Sequence, residues 1–285
     1  MAATLKRILR DRLGSVGLAI VILFVLAAIA APWLAPYDPA EQFFDGLTLE
    51  GSPRPPNAEF WLGTDLLGRD LLSRLLYGAR TSLVIGVVAN GAAVIIGTLL
   101  GLVAGYAGGW LGASVMRFTD LMMAFPALLL AIALAAIFAP SLWIVAMVIA
   151  LVNWVQIARV IYTETRALTG REYIEAARAL GAGHARILLV HLLPHLVPTI
   201  LVWATLGIAT TVLLEATLSF LGIGVRPPTP SWGSILYDGY TSIRSAPFMV
   251  IFGGLPLMLA TLGFTFLGEG LRDYLDPRLK AGRPA

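Results

Sequence analysis

Two histidines, His191 and His195, stand four positions apart, the spacing at which two imidazoles on one helix face can share a metal ion. No acidic residue completes an H-E-x-x-H pattern around them, so no metal ligands are expected. The chain has no cysteine, which removes disulfides, thiolate metal sites and cysteine nucleophiles. It has no G-x-x-x-x-G-K-[ST] loop with which to cradle a nucleotide's phosphates. Two carboxylates are more telling. Glu215 closes an apolar stretch, where an ionisable group is by default a functional candidate. Glu175 precedes Ala176 and Ala177 in a charged segment, where a carboxylate beside two small residues could anchor a partner's donors.

The elements that must hold these residues are membrane helices. Hydrophobic residues make up 58% of the chain and charged ones 13%, about half the usual share for a soluble domain. Burying so much apolar surface in water would leave large exposed patches. Six stretches, residues 16–34, 82–106, 121–138, 142–160, 197–218 and 248–267, approach the ~20 apolar residues that cross a bilayer. The first is longer than a signal-peptide core, which points to an uncleaved anchor. Ala139, Pro140 and Ser141 alone separate the third and fourth, predicting a tight helical hairpin. The net charge of +3 is too small and too scattered for nucleic acid.

With the N-terminus inside, most of the 20 lysines and arginines fall on inner segments, among them Lys6, Arg7, Arg10, Arg117, Arg166, Arg178 and Lys280. Acidic residues such as Asp38, Glu41, Asp45 and Glu59 crowd the first outer loop. Both termini are therefore expected in the cytoplasm. The fold class is an all-α polytopic membrane protein with six transmembrane helices. Residues 1–80 form an N-terminal tail, first span and outer loop; 81–285 form a five-helix core with an inner loop at 162–195.

Several features break the apolar pattern. Residues 66–77 are amphipathic, with Leu67, Leu71, Leu75 and Leu76 on one face, and suit either a helix on the outer interface or a packed surface helix. Gly97, Gly101 and Gly105 form a four-residue stripe along the second span, a seam for close helix packing. Asn153 is suited to joining helices. Trp232, with Tyr237 and Tyr240, suits an outer gate, a partner contact or an interfacial aromatic belt. Glu215 either lines a pathway or pairs structurally.

The inner loop carries most information. From Arg171 it reads REYIEAARALGAGHARILLVHLLPHLVPT: a short helix, a turn at Gly181 and Gly183, and a second helix from about His184, with Pro194 and Pro198 where the fifth span starts. Such a protrusion either docks a partner or caps the bundle.

Glu175-Ala176-Ala177, followed by Gly181 and by Leu193-Pro194, resembles the EAA signature of ABC importer permeases. His191 replaces the signature's usual isoleucine, with Leu192 beside it. Four further stretches resemble the dipeptide/oligopeptide/nickel branch, specifically its second, shorter permease subunit. They are Trp61-Leu62-Gly63-Thr64-Asp65-Leu66-Leu67-Gly68-Arg69-Asp70, Glu215-Ala216-Thr217-Leu218-Ser219-Phe220-Leu221-Gly222, Pro227-Pro228-Thr229-Pro230-Ser231-Trp232-Gly233 and Gly270-Leu271-Arg272-Asp273-Tyr274-Leu275-Asp276-Pro277-Arg278.

The resemblance implies a type I ABC importer transmembrane fold in a bacterial inner membrane. It implies a permease that imports peptides or related small solutes and catalyses nothing itself. Its partners would be a homologous permease in a heterodimer, two ATPase subunits, an extracytoplasmic solute-binding protein and membrane lipid. ATP and Mg would be held by the ATPases and no cofactor by this chain. Glu175, Ala176, Ala177, Arg178 and Gly181 would form the coupling element, with Glu215 and Trp232 at the pathway or gate. Two rivals are weaker. An ion-driven secondary transporter needs inverted repeats and intramembrane coupling charges, whereas charges here, such as Asp120 and Arg159, lie near span ends. An intramembrane enzyme needs a nucleophile–base pair, and none stands out in the spans.

Overall fold

Apolar residues that must satisfy every backbone group without water fold as helices, and a computed structural model, which describes residues 12–139 and 141–275, is helical throughout its apolar stretches. In chain order these are α1 (Arg12–Leu34), α2 (Leu71–Ala107), α3 (Gly109–Met123), α4 (Ala127–Ile137), α5 (Leu142–Thr169), α6 (Glu172–Ala179), α7 (His184–Phe220), α8 (Trp232–Thr241) and α9 (Pro247–Leu275). Among the described residues, five (α1, α2, α5, α7 and α9) are long and apolar enough to span a membrane, and α3 with α4 makes a sixth if the bent pair counts as one. The basic positions Lys6, Arg7, Arg10 and Lys280, with Asp276, Pro277 and Arg278 of the last motif, lie outside the described residues.

The third span departs from expectation. Residues 121–138 do not form one straight helix: α3 and α4 meet at 89°. Pro126 is the cause, because its ring disfavours helical backbone at Phe125, and it stands as the N-cap of α4. Eleven residues make α4 about 16 Å long, half the hydrocarbon thickness. Beyond it Phe138 is extended, and Ser141 caps α5 by accepting the Ile144 N–H at 3.3 Å.

The amphipathic stretch before the second span is also corrected. Residues 66–70 form no helix; α2 starts at Leu71 and runs unbroken for 37 residues. Its leucines split, Leu71 and Leu75 buried and Leu67 exposed, while Arg69, Asp70 and Arg74 are all buried. Asp65 explains the burial of charge. It accepts the Leu67 and Arg69 N–H groups and pairs with Arg69 Nε at 2.7 Å. Arg74 Nε stands 2.9 Å from the same carboxylate, off the hydrogen-bond axis. Asp70 caps α2 through the Ser73 N–H. Asp65 thus takes both arginines at the start of α2 while Asp70 serves as the helix cap, so most of the buried charge here is paired or hydrogen-bonded, the condition under which charges tolerate burial.

The core of the bundle is the α2–α5 crossing. A Cβ on Gly97 would stand 2.7 Å from Trp154 O, one on Gly101 2.6 Å from Ala158 O, and one on Gly105 2.6 Å from Thr165 Cβ. The stripe therefore brings the two backbones into contact, which drives association where lipid is as apolar as the side chains. α1 lies outside this core, exposing Leu23, Ile29 and Trp33, and touches α9 where Gly17 meets Gly263.

Candidate functional site

α7 begins well before its membrane part. Pro194 has no N–H and its ring crowds the preceding turn, which would kink an ordinary helix. Residues Ile187–Leu192 widen into a π turn, and the Leu193 N–H reaches back to Leu188 O. The helix passes through Pro194 and Pro198 without ending, so α7 is continuous from His184. α5 likewise extends to Thr169. These two extensions carry α6 between them.

α6 is a two-turn helix seated by one face. Ile174 is fully buried among Ile161, Ile187 and Leu192, and its burial contributes about 2–3 kcal/mol to the seating. Ala177 is 9% exposed and faces the same way, whereas Glu175, Ala176 and Arg178 are exposed. Of the three residues that the sequence groups as a coupling element, Glu175 and Ala176 are presented to solvent and Ala177 is not: three residues after Ile174, it shares that inward face.

The terminator of α6 is a glycine turn. Gly181 adopts φ +81°, the Gly181 N–H bonds Arg178 O at 3.0 Å, and the Ala182 N–H bonds Ala177 O at 3.0 Å. This is the Schellman arrangement, in which a residue of positive φ lets the chain reverse while satisfying the last carbonyls. A Cβ at Gly181 would meet nothing within 4 Å, so only backbone conformation demands glycine there.

A support that sequence reasoning missed sits beneath α6. Tyr106, at the end of α2, pairs its hydroxyl with His184 Nδ1 at 2.7 Å, and the Arg178 guanidinium lies 5.5 Å from the Tyr106 ring centre. A cation over a phenol ring is attracted by the ring's electron density, so Arg178 ties α6 to α2 as well. The signal was present only as an aromatic residue at a span end. Tyr173 meets His195 ring to ring at 5.6 Å, and among the described residues no group of three or more potential ligands surrounds His191 and His195.

At the opposite end of α7, Glu215 and Trp232 are wholly buried, not lining open space in this chain. Glu215 accepts from Ser82 Oγ at 2.9 Å and from Ser219 Oγ at 2.7 Å. The Trp232 N–H donates to the same Ser82 hydroxyl at 3.4 Å and its indole N–H to Leu75 O at 3.2 Å. Ser231 caps α8 reciprocally with Ser234. Two motifs separated in sequence thus interlock, the Glu215 motif on α7 against the Ser231-Trp232-Gly233 motif on α8. In this chain Glu215 is paired structurally and Trp232 is packed in the core, while Tyr237 and Tyr240 are the exposed aromatics of the trio. Asn153 joins α5 to α7 through Thr211 at 3.2 Å, as expected, and Arg159 pairs with Asp120 across α5 and α3.

Comparison with known proteins places this geometry. Residues 97–281 match the model of the binding-protein-dependent transport system inner membrane component, and residues 1–53 match the N-terminal TM domain of oligopeptide transport permease C. A dipeptide transport system permease protein of Alkalihalophilus pseudofirmus is 44% identical over 97% of this chain and 89% of its own. A di/tripeptide transport system permease protein of Pseudomonas aeruginosa is 44% identical over 93% and 88%. A glutathione transport system permease protein of Escherichia coli is 42% identical over 96% and 89%. Among solved structures, a chain of the inward-facing MetNI methionine ABC transporter superposes with a TM-score of 0.59, covering 72% of this chain and 98% of that one at 21% identity, a likeness of fold.

Proposed function

Because the chain belongs to the family of binding-protein-dependent transport system inner membrane components, we propose that α6 is the mechanical joint through which partner ATPases drive it. The chain is a multi-pass inner-membrane permease subunit of an ABC peptide importer, a transport subunit and not an enzyme. Relatives named for dipeptides, di/tripeptides and glutathione support short peptides as the cargo.

In this reading a homologous permease forms the other wall of the pathway and lipid surrounds the pair. Two ATPases bind ATP and Mg on the cytoplasmic side, and a solute-binding protein delivers peptide outside. Both termini face the cytoplasm, and residues 81–285 form the working core, with 162–195 as its coupling loop. The carrying observation is that α6 presents Glu175 and Ala176 to solvent while Ile174 and Ala177 pin it to α5 and α7. Exposed Ala176 keeps the helix slim enough for a groove, and Glu175 offers a carboxylate to donors there. Closure of the ATPases on ATP displaces α6, and its buried face passes the displacement to α5 and α7 as near-rigid bodies. Coupling requires that ATP favour one permease state over the other. Arg178 and Gly181 hold the joint's angle.

Copurification tests this. A tagged Glu175→Arg chain, expressed with the whole transporter, should insert normally and retain its sister permease while losing the ATPases at least tenfold. Ala176→Trp should do the same by bulk. ATPase recovery at wild-type levels in both variants would refute the joint.

A further inference from the structure

A cleft of about 720 Å³ opens between α5 and α7, lined by Asn153, Gln156 and Glu164 on α5, Thr199 and Thr210 on α7, and Arg272 on α9. Its polarity is out of place for a surface turned to lipid. Gln156 lies midway along α5, exposed, with no hydrogen-bond partner among the described residues. An amide left unpaired in hydrocarbon costs several kcal/mol, so this wall of α5 faces water or a polar solute. Asn153, one turn away, spends an amide N–H on Thr211 and keeps its carbonyl oxygen available. Glu164, further toward the α6 end, is oriented by the Thr199 hydroxyl at 2.9 Å from each carboxylate oxygen. One hydroxyl proton leaves most of that carboxylate's acceptor capacity free.

Resting on the transporter reading above, we propose that this cleft is a transit site for short zwitterionic peptides, in which Asn153 and Gln156 pair with peptide amides and Glu164 receives the ammonium end. The spacing fits. Residues 156 to 164 of a helix rise about 12 Å, so a di- or tripeptide of roughly 7–10 Å held at Glu164 comes within side-chain reach of Gln156. Side-chain amides carry donors and acceptors together, so they match a peptide backbone whatever its side chains, as an unselective path requires. Arg272 gives the cleft a charge opposite to Glu164, which suits a zwitterion better than a bare cation.

The chain's lack of cysteine makes the test clean. In proteoliposomes holding the whole transporter with its binding protein, Gln156→Cys should react with a water-soluble thiol reagent. A saturating alanyl-alanine supply should slow that reaction at least fivefold, read as mass added to this chain. Leu151→Cys, on the same helix outside the cleft, should react no faster with or without peptide. Separately, Glu164→Gln should lower uptake of alanyl-alanine about tenfold and leave uptake of its N-acetyl derivative within twofold of wild type. An unreactive Gln156→Cys, modification indifferent to peptide, or equal loss for both peptides would overturn the transit site while wild-type uptake left the transporter reading standing. A wild-type complex that carries no peptide would overturn both.

Discussion

Ser82 on α2 and Glu215 on α7, 133 positions apart, meet in a hydrogen bond of 2.9 Å that also fixes a third element. The Ser82 hydroxyl donates to the carboxylate and accepts the Trp232 N–H, so one side chain ties α2, α7 and the start of α8. Ser219 completes the carboxylate's shell from the next turn of α7. A buried polar group is tolerated when its partners are complete, and it is expensive when one is missing.

Glu215→Ala leaves both hydroxyls without their acceptor and opens a cavity where α2, α7 and α8 converge. It should destabilise the subunit by about 2–4 kcal/mol. Glu215→Gln preserves the shape and still offers an acceptor, so it should recover most of the loss. Thermal midpoints of the purified transporter check this. If Ala and Gln melt alike, the carboxylate's partners do not matter to stability.

The glycine stripe makes an internally controlled prediction. Gly101→Leu drives a side chain into Ala158 O and Ile161, which belong to α5 and cannot withdraw without parting the helices. Gly91, on the same helix, has nothing within 4 Å of an added Cβ. Gly101→Leu should therefore cut accumulation of the subunit in membranes severalfold, and Gly91→Leu should accumulate normally. Quantitative immunoblotting of membranes decides between them.

Asp238 on α8 supplies a pH dependence. Burial pushes its carboxyl above the usual range, Arg74 pulling the other way without winning. A raised acid binds its proton more tightly folded than unfolded, so stability is lost as pH climbs from the ordinary carboxylate value through the raised one. Asp238→Asn removes that loss. Its thermal midpoint relative to wild type should rise with pH over this window and level off above it. A difference that shrinks with pH would show that Arg74, not burial, sets the carboxyl.

Much of this architecture was legible in the residues. Apolar length found the spanning helices, and the four-residue spacing of Gly97, Gly101 and Gly105 found a packing seam, though not that α5 is its partner. The helix–glycine–helix run from Arg171 announced α6 and its terminator. Hydropathy could not show the bend between α3 and α4: residues 121–138 have the composition of a straight span, and Pro126 alone carried the signal. Nor could it show that Asp65, Arg69, Asp70 and Arg74 bury one another, since charges near a span end read as solvated until their partners are placed. Glu215 was visible as an anomaly, but Ser82, its partner, looked like any serine at the start of a span. The cleft side chains, Gln156 and Glu164, were hidden because only the packing of α5 on α2 and α7 reveals which face of α5 remains open.

Gly181 joins the conformational argument to the functional one. Its φ of +81° costs a β-carbon-bearing residue about 1–2 kcal/mol, and asparagine less than others. Space is not limiting, so the cost follows backbone preference and not side-chain volume. Gly181→Val should be worst, Gly181→Ala intermediate and Gly181→Asn nearly silent. Relieving the strain means turning the chain after Leu180 differently, which breaks the bonds from Gly181 and Ala182 back to Arg178 and Ala177 and tilts α6 off its seat. ATPase recovery and peptide uptake should then fall together, in the order Val, Ala, Asn, while insertion stays normal. An order that tracks side-chain size, with Asn worse than Ala, would mean that an ATPase surface packs directly on Gly181; then the residue is a contact and not a hinge.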